Sequence, residues 1–308
     1  MKHQALLARC AMVAILFVAF SLQSNAASNK HTVFYVSPQG NDAWTGKAPS
    51  PAEDGNDGPF STIERARDAV RRLKSENDGK LRRPITVFIR GGTYHLQKPL
   101  TLSPEAGGSH EHPVTYAAYK DERPIISGGH RLTGWEKVSN GREKLWVAPL
   151  PVDITVRQLW INGRRCTRAR YPNDGYLDIE AVPDAEGKPW QEGQRRFKYA
   201  EGDIPHWDMA TGEATVMCRW VDSHLPIQTV DRENGFLEFT KESVFILEEG
   251  DPYYVQGVRA ALDSPGEWWL DEENDEIYYM PREGQNPDDV TAVVPGNTPT
   301  LLRLKGSP

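Results

Sequence analysis

Cysteine is scarce, with three in 308 residues and no CxxC pair. HExxH, P-loop and GxGxxG patterns are missing as well, and no stretch has EF-hand spacing. The chain therefore carries none of the local signatures of zinc ribbons, zincin proteases, nucleotide-binding loops or helix–loop–helix calcium sites. Positive charge is in deficit, with a net of -7. An acidic surface repels phosphate backbones and anionic lipid, which speaks against nucleic acid or membrane as a partner. Long helical periodicity is rare, and no second long apolar run follows residue 22. What is plentiful is Gly (26), Pro (23), Tyr (11) and Trp (9), the balance of a β-rich, turn-rich protein.

The first 26 residues read as an export signal. Lys2 and Arg9 form the positive n-region, AMVAILFVAFSL (11–22) the apolar stretch, and Ser24-Asn25-Ala26 the small-x-small cleavage site. That apolar stretch is too short to span a bilayer as a mature helix, although an uncleaved anchor is the alternative. Cys10 precedes it, out of place for lipid attachment. A secreted or periplasmic protein is expected. Cleavage removes two positive charges, and the net falls to -9 from -7. About 280 mature residues suffice for one large or two smaller domains. Cys166 and Cys218 remain, either as a disulfide or as buried thiols. His110 and His112 sit in a Gly-rich loop, and two imidazoles make a poor metal site. No cofactor is expected.

After a strand at 32–37, the Gly/Pro/Asn/Asp-dense segment 38–59 is a loop. Its Asn41, Asp42, Asp54 and Asp57 suit calcium or ordinary turn chemistry. Ser61 and Glu64 form a capping box opening a helix over 61–74, with Ile63, Ala66, Val70 and Leu73 on one face. Short, nearly continuous apolar strands follow at 85–89, 99–102, 113–119 and 124–128. Such runs suit parallel stacking rather than hairpins, and the helix stands where a stack needs its first coil covered. From Trp135 to about Thr298 the strands are longer and alternate better. Asn162-Gly163 marks a type I′ hairpin within 155–171, Asn234-Gly235 a second, and 266–281 a third. In the first, Ile161 pairs with Arg164, Leu159 with Cys166 and Arg157 with Arg168. Arg164, Arg168 and Arg170 then share one face, with Trp160, Thr167 and Tyr171 on the other.

Together, YVSPQGNDAWTGKAP, GPFSTIERARDAVRRLK, TVFIRGGTYHL and PVTYAAYKDERPIISGG resemble the amino-terminal coils of right-handed parallel β-helix carbohydrate enzymes. INGRRCTRARYPNDGYL and ALDSPGEWWLDEENDEIYYMPREGQNPDD resemble the domain inserted between early coils in glycoside hydrolase family 141. The resemblance implies a mainly β fold: parallel β-helix coils over 32–134 with their capping helix, an antiparallel insertion domain over 135–298, and a return to the β-helix at 299–308. It also implies a larger protein, monomeric when full length, whose catalytic carboxylates lie beyond Pro308. The activity implied is polysaccharide hydrolysis of the α-L-fucosidase or xylanase type. A non-catalytic carbohydrate-binding or adhesive protein and a polysaccharide lyase are the alternatives.

Glycoside hydrolysis uses two carboxyls about 5 or about 6.5–9.5 Å apart, and the sequence singles out no such pair. The acidic run 271–276 is a solvated turn, so no catalytic residue is assigned. Arg168 and Arg170, about 7 Å apart along a strand, suit a uronic acid, a row of sugar hydroxyls or structural ion pairs. Arg170, Tyr171 and Asn173 are expected at the domain junction, facing a sugar cleft. Trp190, Trp207, Trp220, Trp268 and Trp269 are candidate sugar platforms or core residues.

Overall fold

The structure is a computed structural model that describes residues 31–306 apart from 141, 142, 152–155, 297 and 299. The export segment expected over 1–26 lies outside the described residues. Among those described, no helix is long and apolar enough to cross a membrane. The chain divides into two compact units, one of them split in sequence: up to Gly128 with Asn297–Pro308, and Gly129–Gly296.

The first unit contains β1 (Thr32–Val36), α1 (Ile63–Ser75), β2 (Ile85–Ile89), β3 (Gly92–His95), β4 (Leu100–Leu102), β5 (Val114–Ala118) and β6 (Pro124–Ser127). Helix α1 starts one residue later than the capping-box reading. Thr62 is its N-cap, and the Thr62 hydroxyl accepts the Arg65 N–H at 3.1 Å. Asp42 accepts the N–H groups of Ser61 and Thr62 at 2.8 and 2.9 Å, so this acid secures the helix entry. Asp57 likewise closes its own loop, accepting from the Thr45 and Gly58 N–H groups. Ile63, Ala66, Ala69 and Val70 join Phe34, Val36, Ile85 and Val87 in one apolar cluster, which is the helical periodicity meeting the strand alternation.

Parallel pairing in this unit is shallow. It joins β1–β2–β5, β3–β6 and β4 with the strand Leu302–Leu304 in three separate small sheets. The fold class expected from the sequence is therefore corrected. The described residues form no parallel β-helix, and α1 packs on a small core with β1 and β2 rather than capping one. The described residues are mainly β with one α-helix among them, and their largest sheet contains a closed six-stranded antiparallel barrel, with mixed and parallel sheets besides. Short apolar runs signal burial on one face. They do not fix how many parallel neighbours follow.

The second unit, Gly129–Gly296, contains β7 (Gly129–Leu132), β8 (Glu136–Asn140), β9 (Glu143–Pro149), β10 (Trp160–Ile161), β11 (Arg164–Arg165), β12 (Thr167–Arg168), β13 (Arg170–Tyr171) and β14 (Leu177–Ala181). It continues with β15 (Arg196–Tyr199), β16 (Glu213–Cys218), β17 (Val221–Asp231), β18 (Phe236–Phe239), β19 (Pro252–Gln256), β20 (Glu267–Asp271), β21 (Glu276–Tyr279) and β22 (Ala292–Pro295).

A four-stranded sheet (β11-β10-β22-β7) and a five-stranded one (β12-β20-β21-β9-β8) share a core that includes Leu132, Ile161, Val294, Trp268 and Tyr279. Each such side chain contributes about 1.5–3 kcal/mol on burial. The barrel runs β19-β14-β15-β18-β17-β16 and closes because β16 pairs back onto β19, from Glu213↔Gln256 to Val216↔Tyr253. Strand alternation sends Ala214, Val216, Leu225, Ile227, Tyr253 and Val255 into its core. The polar partners Glu213, Thr215, His224, Tyr254 and Gln256 fall on the outer wall.

The three hairpins form with Asn162 (φ 52°) and Gly163 (φ 74°) in the left-handed region, as a type I′ turn requires. The first is shorter than expected. Ile161 pairs with Arg164 and Cys166 donates its N–H to the Leu159 carbonyl, but the chain then leaves, and Arg168 pairs with Trp268 instead of Arg157. Cys166 and Cys218 are free, buried in different cores.

Candidate functional site

Three adjacent strands present one row of side chains across the barrel's outer wall. Arg170 on β13 and Glu213 on β16 flank Gln256 on β19, each opposite it in register. One step along, Tyr254, Thr215 and His224 form a second row. The segment 165–168 runs beside this wall, and between them lies a cleft of about 580 Å³ lined in part by Arg157, Arg165, Arg168, Arg170, His224 and Tyr254.

Glu213 does not itself line the cleft but lies under its lining residues as a floor, with its side chain 5% exposed. Arg157 Nη2 donates to both its oxygens at 2.8 and 2.7 Å, and Gln256 Nε2 donates to Oε1 at 2.7 Å. Arg168 Nη1 lies 3.3 Å from Oε1, and His224 Nδ1 lies 3.1 Å from it. Burial alone pushes this carboxyl upward. The Arg157 hydrogen bonds and the charges of Arg168, Arg157 and His224 outweigh it, and the pKa ends below the usual Glu value. Glu213 is thus a fixed anion with its oxygens occupied. A proton donor for glycosidic cleavage needs the opposite environment.

Arg168 is the most enclosed cation of the cleft, its side chain 14% exposed. Burial pulls its pKa down, only partly offset by Glu213. Its Nε is buried without a partner among the described residues. The guanidinium lies against Gly257, whose φ is +77°, and a Cβ there would stand 2.5 Å from Arg168 Nη2. Arg170 takes a different role. Its Nε donates to the Pro172 carbonyl at 2.9 Å and Nη2 to that of Gly175, while the guanidinium lies 4.0 Å from the Tyr254 ring centroid. It staples the loop between β13 and β14 while lining the cleft.

Of the four residues singled out by sequence, the structure brings Arg168 and Arg170 together in the cleft. Tyr171 points the other way, packing on the barrel core with its ring 5.3 Å from Trp207. Asn173 is exposed and donates to Asp263 Oδ1 at 2.8 Å. Arg164, expected on the face of Arg168, does not line the cleft, whereas Arg165 does. Among the tryptophans, Trp268 is fully buried, while Trp190 and Trp220 are 47% and 71% exposed with ring centroids 5.7 Å apart.

Glu213, His224, Gln256 and Arg157 were missed by sequence reasoning. The available signal was the alternation in EATVMC and PYYVQ, where Glu213 with Thr215, and Tyr254 with Gln256, take alternate places against apolar neighbours. A second buried acid, Glu267, lies behind the cleft. Its oxygens accept the Asp263, Ser264 and Arg170 N–H groups at 3.2, 3.1 and 3.4 Å. Burial outweighs those bonds and pushes its pKa up to about 7. Burial likewise pushes the Cys166 thiol up, so this lining residue is a poor nucleophile.

No family model and no curated protein matches the sequence. A solved structure titled "Glycoside hydrolase" matches with a TM-score of 0.71 and 25% identity, over 90% of this chain and 48% of that one. The chain spans about half the length of that structure. In fold, it is a glycoside hydrolase-like protein.

Proposed function

We propose that this chain belongs to an exported polysaccharide-degrading protein of the family 141 type, and that the arginine cleft on its barrel wall is a sugar-binding subsite. The observation carrying the reading is the glycoside hydrolase likeness over 90% of the chain. Arg168 and Arg170 in one cleft support the placement of the subsite. The cleft is assigned binding rather than bond cleavage, because Glu213 is held ionised and saturated with donors.

Electrophoresis through gels containing plant polysaccharides tests this directly. Retardation of the protein by at least one polymer is expected, and Arg168→Ala should weaken it about tenfold or more, the scale of losing a charge-assisted contact. Migration unaffected by every polymer would overturn the reading.

A further inference from the structure

Building on the sugar-binding reading of the cleft, we propose that it selects anionic glycans, gripping a carboxylate or sulfate substituent with its arginines. Charge is the first reason. The whole chain has a net of -7, yet Arg157, Arg165, Arg168 and Arg170 converge here against two lining or floor acids, Asp222 and Glu213. Glu272 acts on Arg168 from outside the lining. The Arg170 guanidinium meets only neutral carbonyls and aromatic rings, and Arg165 is exposed with no ion pair among the described residues. Even with Glu272 counted, one net positive charge remains, and the Arg165 and Arg170 guanidiniums have no acidic partner among the described residues.

The balance of donors and acceptors is the second reason. A neutral sugar offers hydroxyls, which are best held by carboxylates or amides that accept as well as donate. Here the floor carboxylate already receives Arg157 on both oxygens and Gln256 on one. The side-chain amide of Gln256 also reaches Thr215 Oγ1 at 3.0 Å. Aromatic stacking, the other device for neutral pyranoses, is compromised because the Arg170 guanidinium lies over Tyr254. What remains is a surplus of guanidinium N–H groups, including a buried Arg168 Nε with no partner among the described residues. A ligand that only accepts, in the planar or tetrahedral geometry of a carboxylate or sulfate, matches that surplus.

The test uses one polymer in two charge states. Affinity of the full chain is measured for polygalacturonan and for its fully methyl-esterified form, with a sulfated galactan as a separate arm. Tighter binding of the free acid by about tenfold or more, weakening steeply between low and high salt, is the expected result. Preference for the sulfated polymer over both uronans supports the same cleft chemistry with sulfate as the anion. Arg165→Ala should reduce affinity about three- to tenfold with an unchanged melting temperature, since Arg165 is exposed and holds no ion pair. Arg165→Lys should restore part of it. Equal affinity for the esterified and free polymers would overturn anion selection while leaving sugar binding intact. Failure to bind any of the three polymers, with neutral polysaccharides still retarding the protein, would also overturn it. Failure with every polymer would overturn the sugar-binding reading itself.

Discussion

At Glu267, three backbone N–H groups surround a carboxyl that the fold has removed from water. The bonds favour the anion, burial favours the neutral acid, and burial prevails, with a pKa of about 7 against an ordinary 4.5. A group whose folded pKa is raised holds its proton more tightly in the folded than in the unfolded state. Its contribution is complete below about pH 4.5 and is lost as pH rises through about 7, in total about 3 kcal/mol. Unfolding free energy should therefore fall between pH 5 and pH 8 in urea titrations. Glu267→Gln should flatten that fall, even though the amide faces the same donors less well and lowers stability overall. Asp203 and Asp251, also raised by burial, slope the same way and leave a remainder in the variant. Identical slopes in the two proteins would refute the assignment. Glu213 works in the opposite sense. Its lowered pKa supplies stability above the unfolded value that is lost only as pH drops into the acid range.

The end of β19 is where elements fix the cleft. Gly257 follows Gln256 in the left-handed region, donates its N–H to the Ala169 carbonyl at 2.8 Å, and receives Thr211 Oγ1 and Trp269 Nε1 at 2.9 and 3.2 Å on its own carbonyl. With both backbone groups held, the φ cannot relax. Alanine there costs about 1–2 kcal/mol for the backbone alone, and its Cβ collides with the Arg168 guanidinium. Gly257→Ala should lower the urea midpoint accordingly and weaken polysaccharide binding together with it. A fully stable variant with wild-type affinity would show that this contact does not position Arg168. Sequence made part of this legible. Asn162-Gly163 announces its hairpin because a type I′ turn is a two-residue property. The same dipeptide says nothing about where the strands go next, and Arg168 ends beside Trp268 rather than Arg157. The hairpin register pairs Arg157 with Arg168, whereas in the structure Arg157 clamps Glu213. Ion pairs between residues more than fifty positions apart leave no local pattern.

The whole molecule shows the same divide between local and distant order. A helix at 61–74 was legible from capping and periodicity and appears as Ile63–Ser75. Parallel apolar strands were also legible, but extending them to a β-helix was not warranted by any local signal. Barrel closure depends on β16 choosing β19, a choice set by complementary faces rather than by either strand alone. The unit formed by Gly129–Gly296 is continuous in sequence, and its ends meet, since Gly129 pairs with Pro295 across β7 and β22. Both of its apolar cores and every residue lining the cleft lie within it. A segment of about 170 residues buries about 70% of its unfolded surface, enough for independent folding. Each unit leaves some large apolar residues exposed, Ile125, Ile126, Leu301, Leu302 and Leu304 in the other and Tyr176, Trp190, Trp220 and Val244 in this one. Residues 129–296 expressed alone should therefore unfold in one cooperative transition, with a stability in the usual range of about 5–15 kcal/mol. The isolated segment should retain Arg168-dependent polysaccharide binding. A folded segment that no longer binds would mean that the subsite draws on residues outside this unit, and a segment without a cooperative transition would mean that its two cores do not suffice.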